Sequence, residues 1–207
     1  MMPCVRTAAS LSLLPAPAVG ATWGGARLLN PASHAASVQA LFYGESLATA
    51  ANGPHRGKTV KLGLTDPDSD EVVPPVAPRS GGDFMLTSQG DREQIFVHGA
   101  GTGYQHLWVL ALSQSVDDTA WATAWHGAFY ATDHDAGTVD VIAGTFRPGT
   151  ALVAVTPCDA GNAPATCPAP GFPANYLGQL NMHNGQITAV KLHGASLQPQ
   201  GLIFAAG

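Results

Sequence analysis

Two stretches, "GGDFMLTSQGDREQIFV" (residues 81–97) and "HGAFYATDHDAGTVDVI" (residues 126–142), decide how this chain is read. Gly82 and Gly127, Phe84 and Phe129, Thr87 and Thr132, Phe96 and Val141, and Val97 and Ile142 are each separated by the same 45 residues. Both stretches read as strand, polar turn, strand. In an all-β pattern, a repeat of about 40 to 50 residues is the signature of propeller blades, each a small antiparallel sheet.

The neighbouring segments agree. "HLWVLALSQS" (106–115) and "TALVAVTP" (150–157) are apolar runs of strand length. "YLGQLNMHNGQITAVKL" (176–192) is a hairpin whose Asn184-Gly185 pair supplies the positive φ values of a tight turn. "LQPQGLIFAAG" (197–207) closes the chain as a strand entered through Pro-x-Gly. Only "SVQALFYGESLATAA" (37–51) is ambiguous between helix and strand. The chain divides into 1–25, a candidate signal peptide or disordered start, 26–56, an Ala-rich segment, and 57–207, the propeller-like domain.

Composition bounds the function. The 207 residues are 45% apolar and 11% charged, which suits a packed domain, and 24 Gly with 16 Pro fit many turns. The net charge of −5 and the absence of a Lys/Arg run argue against nucleic acid as a partner. No apolar stretch has the roughly 18 to 20 uninterrupted residues of a membrane span. "MMPCVRTAASLSLLPAPAVGATWGG" carries one early cation, an apolar run and a small-x-small site at Val19-Gly20-Ala21, the elements of an export signal. Its three prolines equally fit a disordered or mis-started N-terminus. Cys158 and Cys167 bracket the weakly apolar loop "DAGNAPAT", where a disulfide is expected and would need an oxidising compartment. The expected location is therefore secreted or periplasmic, and cytoplasmic without a signal. Two cysteines and no clustered histidines argue against a zinc site.

"FYATDHDAGTVDVI" resembles the strand pair "LYVTD…VDVI" common in bacterial six- and seven-bladed β-propellers. "LQPQGLIF" resembles the Pro-Asp-Gly entry into an inner blade strand, and "SVDDTAW" (115–121) the same entry with Asp117-Asp118 in place of Gln200-Gly201. The nearest family by this resemblance is the gluconolactonase and paraoxonase-like group, calcium-dependent propellers that hydrolyse lactones and related esters. The likeness covers about residues 83–207. A six-bladed ring at this period needs about 270 residues or more. The fold expected is therefore an incomplete or truncated propeller, and self-association could complete the ring.

Three acidic turns are candidate calcium sites, since calcium takes six to eight oxygen ligands in irregular geometry. Asp133 and Asp135 flank His134, which could act as general base toward a metal-polarised water. The same residues also make a competent hairpin turn without any chemistry. Asp66, Asp68 and Asp70 of "TDPDSDE" open like a calcium loop, but Glu71 stands where an EF-hand needs Gly. Asp117 and Asp118 sit at the expected inner-strand entry. Three acidic turns favour calcium over a transition metal.

A rival reading is a serine esterase. Gly44-Glu45-Ser46-Leu47-Ala48 approaches the G-x-S-x-G elbow, with Ala48 in place of its last Gly. The family resemblance implies calcium-dependent opening of a lactone, N-acyl-homoserine lactones being one candidate, or of a related ester. The alternatives are a propeller that only binds a partner, and the Ser46 esterase.

Overall fold

The computed structural model describes residues 40–159, 174–193 and 197–207. The candidate signal segment and Cys167 lie outside them; Cys158 is disulfide-bonded. Among the described residues there is no helix, hence none long and apolar enough to cross a membrane. The described residues form an all-β fold, thirteen short strands in three sheets that close no barrel.

The first sheet holds β1 (Leu47–Ala50), β2 (Thr59–Lys61), β3 (Pro67–Val72), β4 (Phe84–Ser88), β5 (Glu93–His98) and β6 (His106–Ala111), in the order β2-β1-β6-β5-β4-β3. Strands β3 to β6 form a four-stranded antiparallel meander, the blade-like unit, and β1 joins β6 in parallel. The ambiguous 37–51 segment thus contributes a strand, and the sheet reaches upstream of residue 57. The second sheet is β12 (Ile187–Ala189), β11 (Tyr176–Leu180), β10 (Ala151–Val155) and β7 (Val116–Trp121). The third is β13 (Pro199–Ala206), β8 (His126–Asp133) and β9 (Thr138–Thr145).

The sheets stack face to face, with the second in the middle. Met85, Phe96 and Leu110 of the first sheet pack on Trp121, Val153 and Leu180 of the second. The opposite face of the second presents Ala120, Leu152 and Leu177 to Phe129, Ala131 and Phe204 of the third. Residues of β10 alternate between these two cores, so all five are buried. Phe129, Phe146 and Phe204 form an aromatic knot with centroids 4.8 to 5.8 Å apart, in tilted and edge-on geometries favoured by ring quadrupoles.

The 45-residue repeat is real at the backbone. Phe84 faces Val97 and Phe129 faces Ile142 in hairpins of matching register. Each turn ends on a left-handed residue at the equivalent place, Arg92 (φ 55°) and Gly137 (φ 64°). Two aspects differ from expectation. The hairpins belong to the first and third sheets rather than successive ones, because β7 leaves β8 and β9 to pair with β10. Their buried faces also differ: Met85 and Thr87 are enclosed in one, Phe129 and Ala131 in the other. The first hairpin lies inside a six-stranded sheet, whereas among the described residues β9 is an edge strand whose Val139 and Val141 are exposed.

Candidate functional site

Each sheet ends on one side at an edge strand, and the three edges β3, β7 and β13 meet. The strands run the same way. Glu71, late in β3, meets Trp121 at the end of β7; Asp118, early in β7, meets Leu202, and Ala120 packs near Phe204. Edge strands have unpaired backbone groups along one side, and here side chains satisfy part of that demand. Asp118 Oδ2 accepts the Leu202 N–H at 2.6 Å and Oδ1 its neighbour Thr119's at 2.8 Å.

This convergence gathers acid. Asp68 and Asp117 share a carboxyl–carboxyl hydrogen bond, Ser69 bonds Asp118, and Asp159 adds charge beside Asp117. Burial, the bond to Asp68, and the charges of Asp68, Asp118 and Asp159 push Asp117 up to about 8. Burial also raises Asp118, against the N–H groups of Leu202 and Thr119 that favour its charged form. Glu71 is pushed up to about 7, chiefly by burial and also by the Asp118 charge, opposed by the indole N–H of Trp121 at 2.7 Å. Among the described residues, no Lys or Arg pairs with these carboxylates. The one Lys or Arg paired with a carboxylate among the described residues is Lys61, on Glu45 at the surface.

The raised Asp117 gives a prediction about stability. Its folded pKa lies above the unfolded value of 3.8, so the folded state binds the extra proton and stability falls as pH climbs toward about 8. Asp117→Asn removes the charge and keeps a hydrogen bond to Asp68. Discounted for solvent screening, the gain at pH 8 is about 1–2 kcal/mol, or roughly 3–6 °C in melting temperature. Calorimetry in chelator should show that gap closing as pH is lowered to about 4; a gap independent of pH would disprove it.

Glu71 opens into a cleft of about 220 Å³ lined by Thr119, Trp121, Thr123, Leu202 and Phe204. A larger cavity, about 630 Å³, lies elsewhere, between the β9–β10 turn and the β11–β12 hairpin, and shares no lining residue with it. It contains Arg147 and His183 but none of the acidic groups. The small cleft is the better place for chemistry, because the perturbed Glu71 carboxylate opens there.

The remaining sequence candidates lie apart. Asp133 is buried, and its two oxygens accept the backbone N–H groups of Ala136 and Gln198 at 2.9 Å each. Those donors, with the Asp135 N–H and His134, hold it below the usual carboxylate range. Asp135 binds the Gln198 side chain, and exposed His134 stands 3.4 Å from it. "DHD" therefore ties the β8–β9 turn to the entrance of β13. Asp66 and Asp70 are exposed. Ser46 lies between Glu45 (φ 65°) and β1, accepts the Tyr43 N–H, and is followed by a strand where the nucleophile elbow has a helix. Among the described residues, no group of three or more His, Cys, Asp or Glu side chains is placed to hold a metal ion.

No family model, curated protein or solved structure matches this chain.

Proposed function

We propose that the chain is a calcium-dependent hydrolase of lactones or related esters, with its site where β3, β7 and β13 meet. The carrying observation is the concentration of acid: Asp68, Asp117 and Asp118 crowd together, no Lys or Arg among the described residues pairs with them, and Asp117 is held protonated near neutrality. Hard oxygen donors in a turning, partly solvated chain suit calcium, with water and backbone carbonyls completing its shell. When bound, such an ion would supply positive charge to a substrate carbonyl oxygen and lower the barrier to attack.

The chain's own residues carry the rest of the reaction. Glu71, ionised just above neutral pH, takes a proton from water as the water oxygen bonds the carbonyl carbon. The ring C–O bond then breaks, and the alkoxide recovers the proton from Glu71, giving a hydroxy acid. Trp121 holds the carboxylate in place, while Leu202 and Phe204 offer an apolar wall to an acyl group. The size of the cleft favours small substrates. The lactone or ester class itself rests on the propeller resemblance, an analogy of fold and motif.

Ring opening of an acyl-homoserine lactone and of simple aryl esters, followed by proton release, tests the reading. Chelation should abolish turnover and calcium should restore it. The Asp68→Asn, Asp117→Asn double variant should lose calcium binding by calorimetry, whereas His134→Ala should leave turnover unchanged. Activity that survives chelation and the double variant would overturn the proposal. Calcium binding with no turnover of any substrate would leave a binding module.

A further inference from the structure

The β5–β6 ladder sets His98 directly opposite His106. They are eight positions apart in the sequence, and their rings lie with centroids 5.2 Å apart, tilted by 49°. Beside His98 is Asp83, only 4% exposed, whose Oδ1 is 2.8 Å from Nδ1 of His98 and whose Oδ2 accepts the Trp108 indole N–H at 3.3 Å. A carboxylate partner at Nδ1 favours the tautomer that donates from that nitrogen, which leaves Nε2 as the metal-binding nitrogen. A buried carboxylate that fixes the tautomer and orientation of an exposed imidazole is the arrangement that prepares histidine for a metal.

From these observations we infer that His98 and His106 form a two-histidine site for a borderline divalent transition ion, zinc being the test case. The spacing fits. A Zn–N bond of about 2.0–2.1 Å puts each ring centroid roughly 3.2 Å from the ion, so two rings at the tetrahedral angle stand about 5.2 Å apart. Imidazole nitrogen selects zinc, copper or nickel over calcium, which distinguishes this site chemically from the carboxylates of β3 and β7. Both histidines are exposed, leaving room for water at the remaining positions. The ion would clip the end of β5 to the start of β6, beside the 99–105 loop. The inference is independent of the proposed hydrolase activity.

Titration of the full chain with zinc chloride in calcium-containing buffer, read by calorimetry, tests it. One equivalent should bind and raise the melting temperature. His98→Gln and His106→Gln should each weaken binding about tenfold or more, and Asp83→Asn about 10- to 100-fold, as expected when the orienting partner is lost. Copper(II) at the same site should show nitrogen hyperfine coupling that disappears in the histidine variants. Asp117→Asn should leave the zinc isotherm unchanged. An isotherm unaffected by either histidine substitution, one lost in Asp117→Asn, or no saturable binding would each overturn the inference. Because the two histidines are exposed, their variants test the site even if Asp83→Asn fails to fold.

Discussion

Glu71→Gln is expected to lower lactone or ester turnover by about 10² to 10⁴, the usual contribution of a positioned general base. The substitution is gentle on structure. The amide oxygen still accepts the Trp121 indole N–H, and burial no longer opposes a charge. Calcium affinity, which the proposal assigns to Asp68, Asp117 and Asp118, should stay within a few-fold. The pH profile gives the sharper readout. Wild-type kcat/KM should rise through about pH 7 as Glu71 loses its proton, and the variant should lose that inflection. Turnover at the wild-type level in Glu71→Gln would move the base elsewhere.

Gly185→Ala should be the most damaging small substitution in the fold. Gly185 has φ 73°, and a Cβ there would collide with the Ala111 carbonyl oxygen and approach the Asn52 amide nitrogen to 2.8 Å. The surroundings cannot yield cheaply. Asn52 donates to the carbonyls of Ala111 and Asn184 at 2.7 Å each and accepts the Ala111 N–H, while Ser113 N–H bonds the Gly185 carbonyl. One asparagine thus joins the end of β1, the end of β6 and the β11–β12 turn. Left-handed strain plus displacement of this lock should cost about 2–4 kcal/mol, a fall of roughly 5–15 °C in melting temperature. Differential scanning calorimetry measures it directly. A change under about 1 kcal/mol would show that the turn can move without breaking the lock.

Local chemistry made part of this structure legible. Alternation and turn residues announce the β4–β5 and β8–β9 hairpins, and Asn184-Gly185 announces β11–β12, because neighbours in sequence decide those features. Sheet membership is different. That β7 pairs with β10, beyond an intervening hairpin, depends on which apolar faces fit across the stack. The site shows the same division. Asp68, Asp117 and Asp118 are visible as acidic turns, but their meeting needs the edges of separate sheets to converge. In the sequence, Glu71 reads only as the residue that spoils an EF-hand loop. Its signal was parity: Ser69 and Glu71 share the half-buried face of β3, while Asp68 and Asp70 are exposed. The His98–His106 pair was hidden because strand register, rather than spacing, puts the rings side by side.

The interleaving of strands bears on how the chain acquires its shape. Only the first sheet is complete in one continuous run, from β1 to β6. The second waits for β10 to β12 after β7 has been made, and the third waits for β13, the last strand. During synthesis the first sheet can form while the rest of the chain emerges, but β8 and β9 must idle with Phe129 unburied until β13 follows. Such late, long-range closure is slow and exposes apolar surface in the interval. Removing β13 would therefore take more than one edge strand: it would strip the cover from Phe129, free the Asp118 carboxylate from Leu202, and leave a nascent-like half-molecule prone to aggregation.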